Sequence, residues 1–235
     1  MLAIFKRELR SYFSTSIGYI FVGIFLALSG AIFSYTTLQQ FENSDTSMYF
    51  TLMLFGFVVI LPLLTMKLFS EERKLKTEQL LLTSPISLWG MVFAKFLAAY
   101  TIFATTFLVS CLNFFILFNY GNPEIAIILG NIISILLVGS AFIAIGVFIS
   151  ALTENQLIAA FGTMAILFAL LLMGAVASYI NFTPLRVLVN WLSIFTRFIP
   201  FTYGQFDFGA IVYYASIAFV FMFLTVRVFE KRRWE

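Results

Sequence analysis

Six long apolar stretches, each free of Asp, Glu, Lys and Arg, constrain this sequence more than any other feature. A helix needs roughly 20 apolar residues to cross about 30 Å of lipid hydrocarbon, and each stretch is long enough to do so. We therefore predict six transmembrane helices. They cover Ile17–Leu38, Met48–Met66, Phe96–Phe118, Ala126–Ser150, Gln156–Ile180 and Phe208–Val226.

The composition excludes a soluble fold. Hydrophobic residues make up 62% of the 235 residues and charged residues only 11%, and the mean hydropathy is +1.02. A soluble domain of this size exposes a large polar shell that these residues cannot supply. We expect a single all-α integral membrane domain that spans residues 1–235.

The basic residues predict the orientation of the chain. They cluster before the first span, around the connection between spans two and three, and after the last span. Among the 14 Lys and Arg residues, only Arg186 and Arg197 fall outside these three clusters. Because positive charge is retained on the cytoplasmic side, we expect both termini in the cytoplasm and the chain in the cytoplasmic, or inner, membrane.

Residues 1–16 are predicted to form an amphipathic helix along the inner membrane surface. One face at helical spacing carries the apolar side chains of Leu2, Phe5, Leu9, Tyr12 and Phe13, and charged residues and serines occupy the rest. Such a helix is either an anchor with no further role or an elbow that contacts a cytoplasmic partner.

Residues 67–90 form the most charged connection, which then turns abruptly apolar. Glu72 and Lys76 are spaced for an i,i+4 ion pair, so we expect helix in the charged half. Three leucines, Leu80 to Leu82, precede Ser84-Pro85, which stops a helix. The leucines either dip into the lipid interface or are covered by another protein.

Residues 181–207 are apolar and aromatic but interrupted by Pro184 and Pro200. A crossing here would place the basic C-terminus outside the cell, against the orientation rule. We predict one or two helices that lie in, or dip into, the outer interface. Trp191 is one of their aromatic anchors.

Several kinds of chemistry are excluded by the residues that the sequence lacks. It contains no His, its single cysteine is Cys111, and it has no Gly-rich phosphate-binding loop that ends in Gly-Lys-Ser/Thr. We therefore expect no catalytic residue, no metal site and no ATP hydrolysis by this chain alone. No ionisable residue lies in the middle of a predicted span, which disfavours a proton-coupled carrier.

Four segments of the chain resemble one transporter family. The run from Phe69 to Arg73, followed by the run from Thr77 to Ser87, is similar to the signature of ABC-2 type permeases, the membrane subunits of ATP-binding-cassette exporters. The opening helix from Ile4 to Phe13 is similar too. The C-terminal run from Leu224 to Trp234, with Leu152 to Gln156, resembles the gliding-motility-type (Gld-type) branch.

The resemblance implies roles for named residues. The short helix after span two, about Leu75–Thr83, would be the coupling helix that seats in a separate ABC ATPase, which carries ATP and Mg²⁺. The family usually has Gly where this chain has Lys76. Residues 181–207 would close the outer gate. The implied ATPase-docking residues are Glu71, Glu72, Arg73, Thr77, Glu78, Leu80, Leu81, Glu8 and Arg10, and the implied gate residues are Pro184, Trp191, Arg197 and Pro200.

The predicted function is that of a permease subunit of an ATP-driven exporter, paired with a second permease that is identical or related. Because the predicted spans lack a central charge, an amphiphilic, lipidic or peptide cargo is favoured over a small ion. The main alternative is a non-transporting membrane scaffold that recruits cytoplasmic partners. A lipid-modifying enzyme and a channel are further alternatives, and neither has an obvious functional residue here.

Overall fold

The computed structural model describes residues 1–38, 46–79, 87–120 and 124–234, and all regular secondary structure in these ranges is helical. Six of the described helices are long and apolar enough to cross a membrane, which confirms the predicted number of spans. No strand occurs within the ranges described.

The helices are numbered in chain order. They are α1 (Leu2–Ser14), α2 (Ser16–Phe33, continued by a π-helical turn over Ser34–Leu38), α3 (Ser47–Thr65), α4 (Lys67–Lys74), α5 (Leu88–Ser110, continued by a 3₁₀ turn over Cys111–Asn113), α6 (Phe114–Tyr120), α7 (Ile125–Leu152), α8 (Gln156–Ala177), α9 (Thr183–Leu192), α10 (Ile194–Thr202) and α11 (Phe208–Trp234).

Helix α7 lies at the centre of the bundle and packs against α3, α4, α5, α8, α10 and α11. Two glycines allow this close packing. A Cβ on Gly139 would lie 2.1 Å from the Phe103 ring of α5, and a Cβ on Gly146 would lie 2.2 Å from Oγ1 of Thr65 in α3. Small residues at helix contacts are typical of membrane bundles, where close approach replaces the hydrophobic effect as the source of stability.

An aromatic core joins α2, α3 and α5. The Phe25 and Phe57 rings stack at 5.7 Å, and the Phe103 ring meets the Phe57 ring edge-on at 5.4 Å. Phe107 continues the contact one turn further along α5. Aromatic pairs in these geometries stabilise a core by about 0.5–1.5 kcal/mol beyond the area they bury.

The third span begins earlier than predicted. Helix α5 starts at Leu88, where the Ser87 hydroxyl accepts a hydrogen bond from the backbone N–H of Gly90 at 3.2 Å. Lys95 directly precedes the predicted span, which begins at Phe96, but in the structure it lies two turns inside the helix. The other predicted spans differ from the observed helices mainly at their ends.

Both described termini lie at one end of the bundle, because α1 and the C-terminal end of α11 both contact α4: Arg7 pairs with Glu72, and the Phe229 ring lies 4.7 Å from the Phe69 ring. We call this the terminal end. At the opposite end, the segment between spans five and six forms two helices, α9 and α10.

The break between α9 and α10 falls at Ser193 and not at either proline, contrary to our expectation. Pro184 lies in the first turn of α9, where a missing N–H costs nothing, and Pro200 lies near the end of α10. Two tyrosines of α11 form hydrogen bonds to the backbone on either side of Ser193. The Tyr213 hydroxyl donates to the Leu192 carbonyl at 2.7 Å, and the Tyr214 hydroxyl donates to the Ile194 carbonyl at 2.9 Å.

Candidate functional site

A cluster of two acids and two bases joins α1, α4 and α5 at the terminal end. Lys95 Nζ lies 2.8 Å from Glu72 Oε1 and 3.1 Å from Glu8 Oε1, and it donates to the Leu68 carbonyl at 2.7 Å. Arg7 Nη2 contacts the same oxygens, Glu8 Oε1 at 2.8 Å and Glu72 Oε1 at 2.9 Å. We call Arg7, Glu8, Glu72 and Lys95 the charged cluster; its formal charges sum to zero.

Three members of the charged cluster are largely withdrawn from solvent, whereas the Arg7 side chain is 52% exposed. The Lys95 side chain is 1% exposed and the Glu8 side chain 11%. Burial disfavours ionisation of Glu8, but Lys95 and Arg7 outweigh it and hold the pKa of that carboxyl below its ordinary value. Removing one partner of a buried pair leaves a charge without compensation, at a cost of about 3–5 kcal/mol. The cluster therefore fixes α4 against α1 and α5.

The buried face of α1 explains how Glu8 reaches the cluster. Ile4, Glu8 and Tyr12 follow one another at i,i+4 spacing, are buried, and form the side of the helix that packs on the bundle. The Tyr12 hydroxyl donates to the Leu64 carbonyl of α3 at 2.7 Å. Tyr12 belongs to the predicted apolar face and is buried, whereas Leu2 and Phe13 on the same face stay exposed.

A serine of α7 holds the junction between α3 and α4. The Ser150 hydroxyl accepts from the backbone N–H groups of Phe69 and Ser70, at 3.1 and 3.2 Å, and donates to the Met66 carbonyl at 3.0 Å. A side chain inserted into a helical hydrogen-bond ladder produces a bend at that point. The backbone at the junction between α3 and α4, near Met66, is thus hydrogen-bonded to α7, the central helix of the bundle.

Two arginines bind the C-terminal end of α7, where carbonyl groups lack partners within the helix. Arg73 donates to the Leu152 carbonyl at 2.8 Å and Arg232 donates to the Ala151 carbonyl at 2.7 Å. A cation at this end of a helix also interacts favourably with the negative end of the helix dipole. Arg73 pairs in addition with Glu154, and Arg232 with Glu78, each at 3.0 Å.

The chain turns sharply after α4. The N–H of Thr77 bonds the Glu72 carbonyl at 3.0 Å and the N–H of Lys76 bonds the Arg73 carbonyl at 3.1 Å, the two bonds of a Schellman motif. Lys76 has a φ of +55°, the left-handed conformation that this motif requires. The expected helix in the charged half is confirmed by α4, but Lys76 lies beyond its end and does not support it through an i,i+4 pair with Glu72.

The structure disperses the predicted docking residues. Glu8 and Glu72 enter the charged cluster. Arg73 binds the end of α7 and Glu154 in the turn that follows it, and Glu78 pairs with Arg232 of α11. Of the remainder, Arg10 and Thr77 are exposed and Glu71 is half-buried. Leu80 and Leu81 lie outside the described residues. A role of this set in docking stays a prediction.

The four predicted gate residues lie at the opposite end, on α9 and α10. Trp191 and Arg197 are in contact: the guanidinium carbon lies 5.6 Å from the centre of the indole ring. Pro184 is exposed at the start of α9. Pro200 is half-buried in α10. Only Trp191 and Arg197 of this set are brought together, and the gate itself stays a prediction.

Sequence reasoning missed Lys95, Ser150 and Arg232. A signal for Lys95 was present, since Ser84-Pro85 ends one helix and Ser87 is a good N-cap for the next. A lysine two turns inside a helix near the membrane needs an acidic partner, and Glu72 is an obvious candidate. The partners of Ser150 and Arg232 depend on contacts between distant segments, which no local pattern indicates.

The fold and the site together define a helical membrane protein with six candidate spans. A short helix after span two, α4, is joined to the neighbouring helix ends by ion pairs. Among the described residues there is no group of His, Cys, Asp or Glu that could hold a metal ion. Residues 29–229 match the family described as ABC-2 family transporter protein, and the chain belongs to that family. The comparison with curated proteins finds no match. Family membership makes the chain a membrane subunit of an ABC transporter, a class that works with an ABC ATPase.

Proposed function

We propose that this chain is the permease subunit of an ATP-driven exporter, that the terminal end of its bundle faces the cytoplasm, and that residues 67–90 dock a separate ABC ATPase there. ATP and Mg²⁺ bind to that partner, and this chain performs no hydrolysis. A second permease, identical or related, completes the pathway in the cytoplasmic membrane. The resemblance of the C-terminal run supports assignment to the gliding-motility-type branch.

One observation carries the proposal: α4 is bonded to the bundle on one side and exposed at its far end. The charged cluster and Ser150 attach it to α1, α5 and α7. In contrast, Leu75 is 64% exposed directly after the helix, and Lys74 to Thr77 are exposed with it. An apolar side chain at the tip of a charged helix is suited to a protein contact.

This arrangement suggests how nucleotide-driven motion reaches the membrane. When two ATPase subunits close, the exposed tip of α4 moves with them. Because Lys95 and Ser150 bind α4 at separate points, a displacement of α4 is passed to spans three and four together as a rigid-body shift. The cargo is an amphiphilic, lipidic or peptide molecule, which is consistent with spans whose middles carry no charge.

Leu75→Asp tests the docking surface. The change places a charge at the exposed tip and leaves the charged cluster untouched, so the chain should fold normally. We expect the ABC ATPase to be recovered with the wild-type permease after purification from the native membrane in mild detergent, and its yield to fall about tenfold with the variant, a loss of about 1.4 kcal/mol.

Leu152→Asp is the matched control, because Leu152 is also an exposed leucine at the terminal end but belongs to α7. It should retain the ATPase. Equal loss in both variants would indicate a general effect of charge and remove the docking assignment. If no ATPase accompanies the wild-type chain, the scaffold alternative takes the place of the exporter.

A further inference from the structure

A groove of about 720 Å³ runs along α11, the sixth candidate span, from the end of the bundle opposite the termini. Its walls come from Trp191 and Leu192 of α9, Arg197 of α10, and one face of α11 from Gly209 to Phe221. The lining is almost wholly apolar, and Arg197 is its only charged side chain. Pockets of this size with one well-placed polar group are typical binding sites for small amphiphilic molecules.

The groove has the length of one acyl chain. Gly209 and Phe221 are twelve residues apart, which corresponds to about 18 Å along a helix. The hydrocarbon thickness of a single leaflet is about 15 Å, half of the roughly 30 Å core. Since α11 begins at Phe208, the groove extends from the membrane surface towards the middle of the bilayer.

Arg197 is held at the mouth of the groove by aromatic rings. Its guanidinium carbon lies 5.6 Å from the centre of the Trp191 ring and 5.8 Å from that of Tyr213. The Tyr213 ring is fixed by the hydrogen bond of its hydroxyl to Leu192. The guanidinium is thereby oriented before any ligand arrives, which lowers the entropic cost of binding.

The charge of Arg197 is only weakly compensated within the protein. Its ion pair with Asp207 is long, at 3.9 Å, and the other oxygen of Asp207 accepts from the backbone N–H of Gly209 at 2.8 Å. A planar guanidinium with free donors matches the oxygens of a phosphodiester. We infer that the groove is a specific phospholipid site, with the lipid phosphate on Arg197 and one acyl chain along α11.

The inference is independent of the proposed transport function, because it concerns the purified permease alone. Trp191 reports the occupancy of the groove once Trp89 and Trp234 are changed to Phe. This protein is reconstituted in vesicles of digalactosyldiacylglycerol, which has no phosphate, with a rising fraction of dibrominated phosphatidylglycerol. The bromine atoms quench tryptophan fluorescence on contact.

We expect quenching to saturate at a low fraction of brominated lipid, and Arg197→Gln to require about fivefold more, equivalent to about 1 kcal/mol. Arg186→Gln, on α9 and outside the groove, should leave the curve unchanged. Dibrominated phosphatidylcholine should quench within about twofold of phosphatidylglycerol, because the phosphodiester and not the net charge is recognised.

A second variant keeps Arg197 and its aromatic contacts intact. Ser216 lines the groove and its hydroxyl bonds only the Val212 carbonyl of its own helix, so Ser216→Phe fills the channel for the acyl chain. Ala215→Phe, on the adjacent exposed position outside the lining, is the control. Quenching curves that are the same for wild type, Arg197→Gln and Ser216→Phe would show ordinary boundary lipid only and overturn the inference.

Discussion

At the scale of single residues, Lys76 has the least favourable backbone in the described chain. Among these residues it is the only non-glycine with a positive φ, at +55°. An L-residue in this conformation brings Cβ close to the following carbonyl, at a cost of about 1–2 kcal/mol. The strain is compensated by the two Schellman hydrogen bonds, which hold the turn between α4 and the predicted coupling segment in one geometry.

Lys76→Gly should therefore stabilise the protein. Glycine removes the steric strain and loses about 0.5–1 kcal/mol in additional chain entropy, so the net gain is about 0.5–1 kcal/mol. Thermal unfolding in detergent should show a midpoint about 1–4 °C higher. Lys74→Gly, at the last helical residue of α4, should lower the midpoint because glycine is a poorer helix former than lysine and Lys74 has no strain to relieve. If both changes lower it, the turn is not the source of strain.

At the scale of helices, the junction of α3 and α4 depends on one hydroxyl of another helix. The backbone N–H groups of Phe69 and Ser70 are buried and find their acceptor in Ser150 of α7. Gly146, one turn earlier, allows α3 to approach closely enough for these bonds to form. The small residues at i and i+4 on α7 thus serve a contact within the chain.

Ser150→Ala should loosen this junction. The change leaves two buried N–H groups without their acceptor, which costs about 1–3 kcal/mol. Hydrogen exchange measured by mass spectrometry should become faster at Phe69 and Ser70, with little change in the centre of α3. Ser140→Ala is the control, since that hydroxyl donates only to Leu137 of its own helix. Unchanged exchange in Ser150→Ala would mean that the junction is held by packing alone.

The helices themselves could be predicted from the sequence, because each span is a long run without charge. Errors arose where we took a charge as the mark of a loop: Lys95 lies inside α5. Another arose where we took a proline as a break, whereas the break lies at Ser193. Helix contacts were not predictable from hydropathy, because lipid and neighbouring helix are equally apolar. In the charged cluster, Lys95 bonds Glu8, which lies 87 positions away in sequence.

At the scale of the whole molecule, the even number of spans agrees with the location of both described termini at one end of the bundle. The charges are distributed unequally between the two ends. The charged cluster, Arg73 and Arg232 all lie at the terminal end, whereas Arg186 and Arg197 lie at the opposite end. Retention of positive charge on the cytoplasmic side predicts that the terminal end is cytoplasmic.

Labelling of single cysteines tests this orientation. Cys111 is first changed to Ala, and a cysteine is then placed at Arg10, at Arg233 or at Phe182, all exposed in the structure. A membrane-impermeant maleimide should label Phe182→Cys in intact cells, and Arg10→Cys and Arg233→Cys only after the membrane is permeabilised. Labelling of both terminal sites in intact cells would reverse the orientation and remove the cytoplasmic docking surface on α4. Labelling of only one of them would contradict six crossings, because an even number of spans keeps α1 and the end of α11 on the same side.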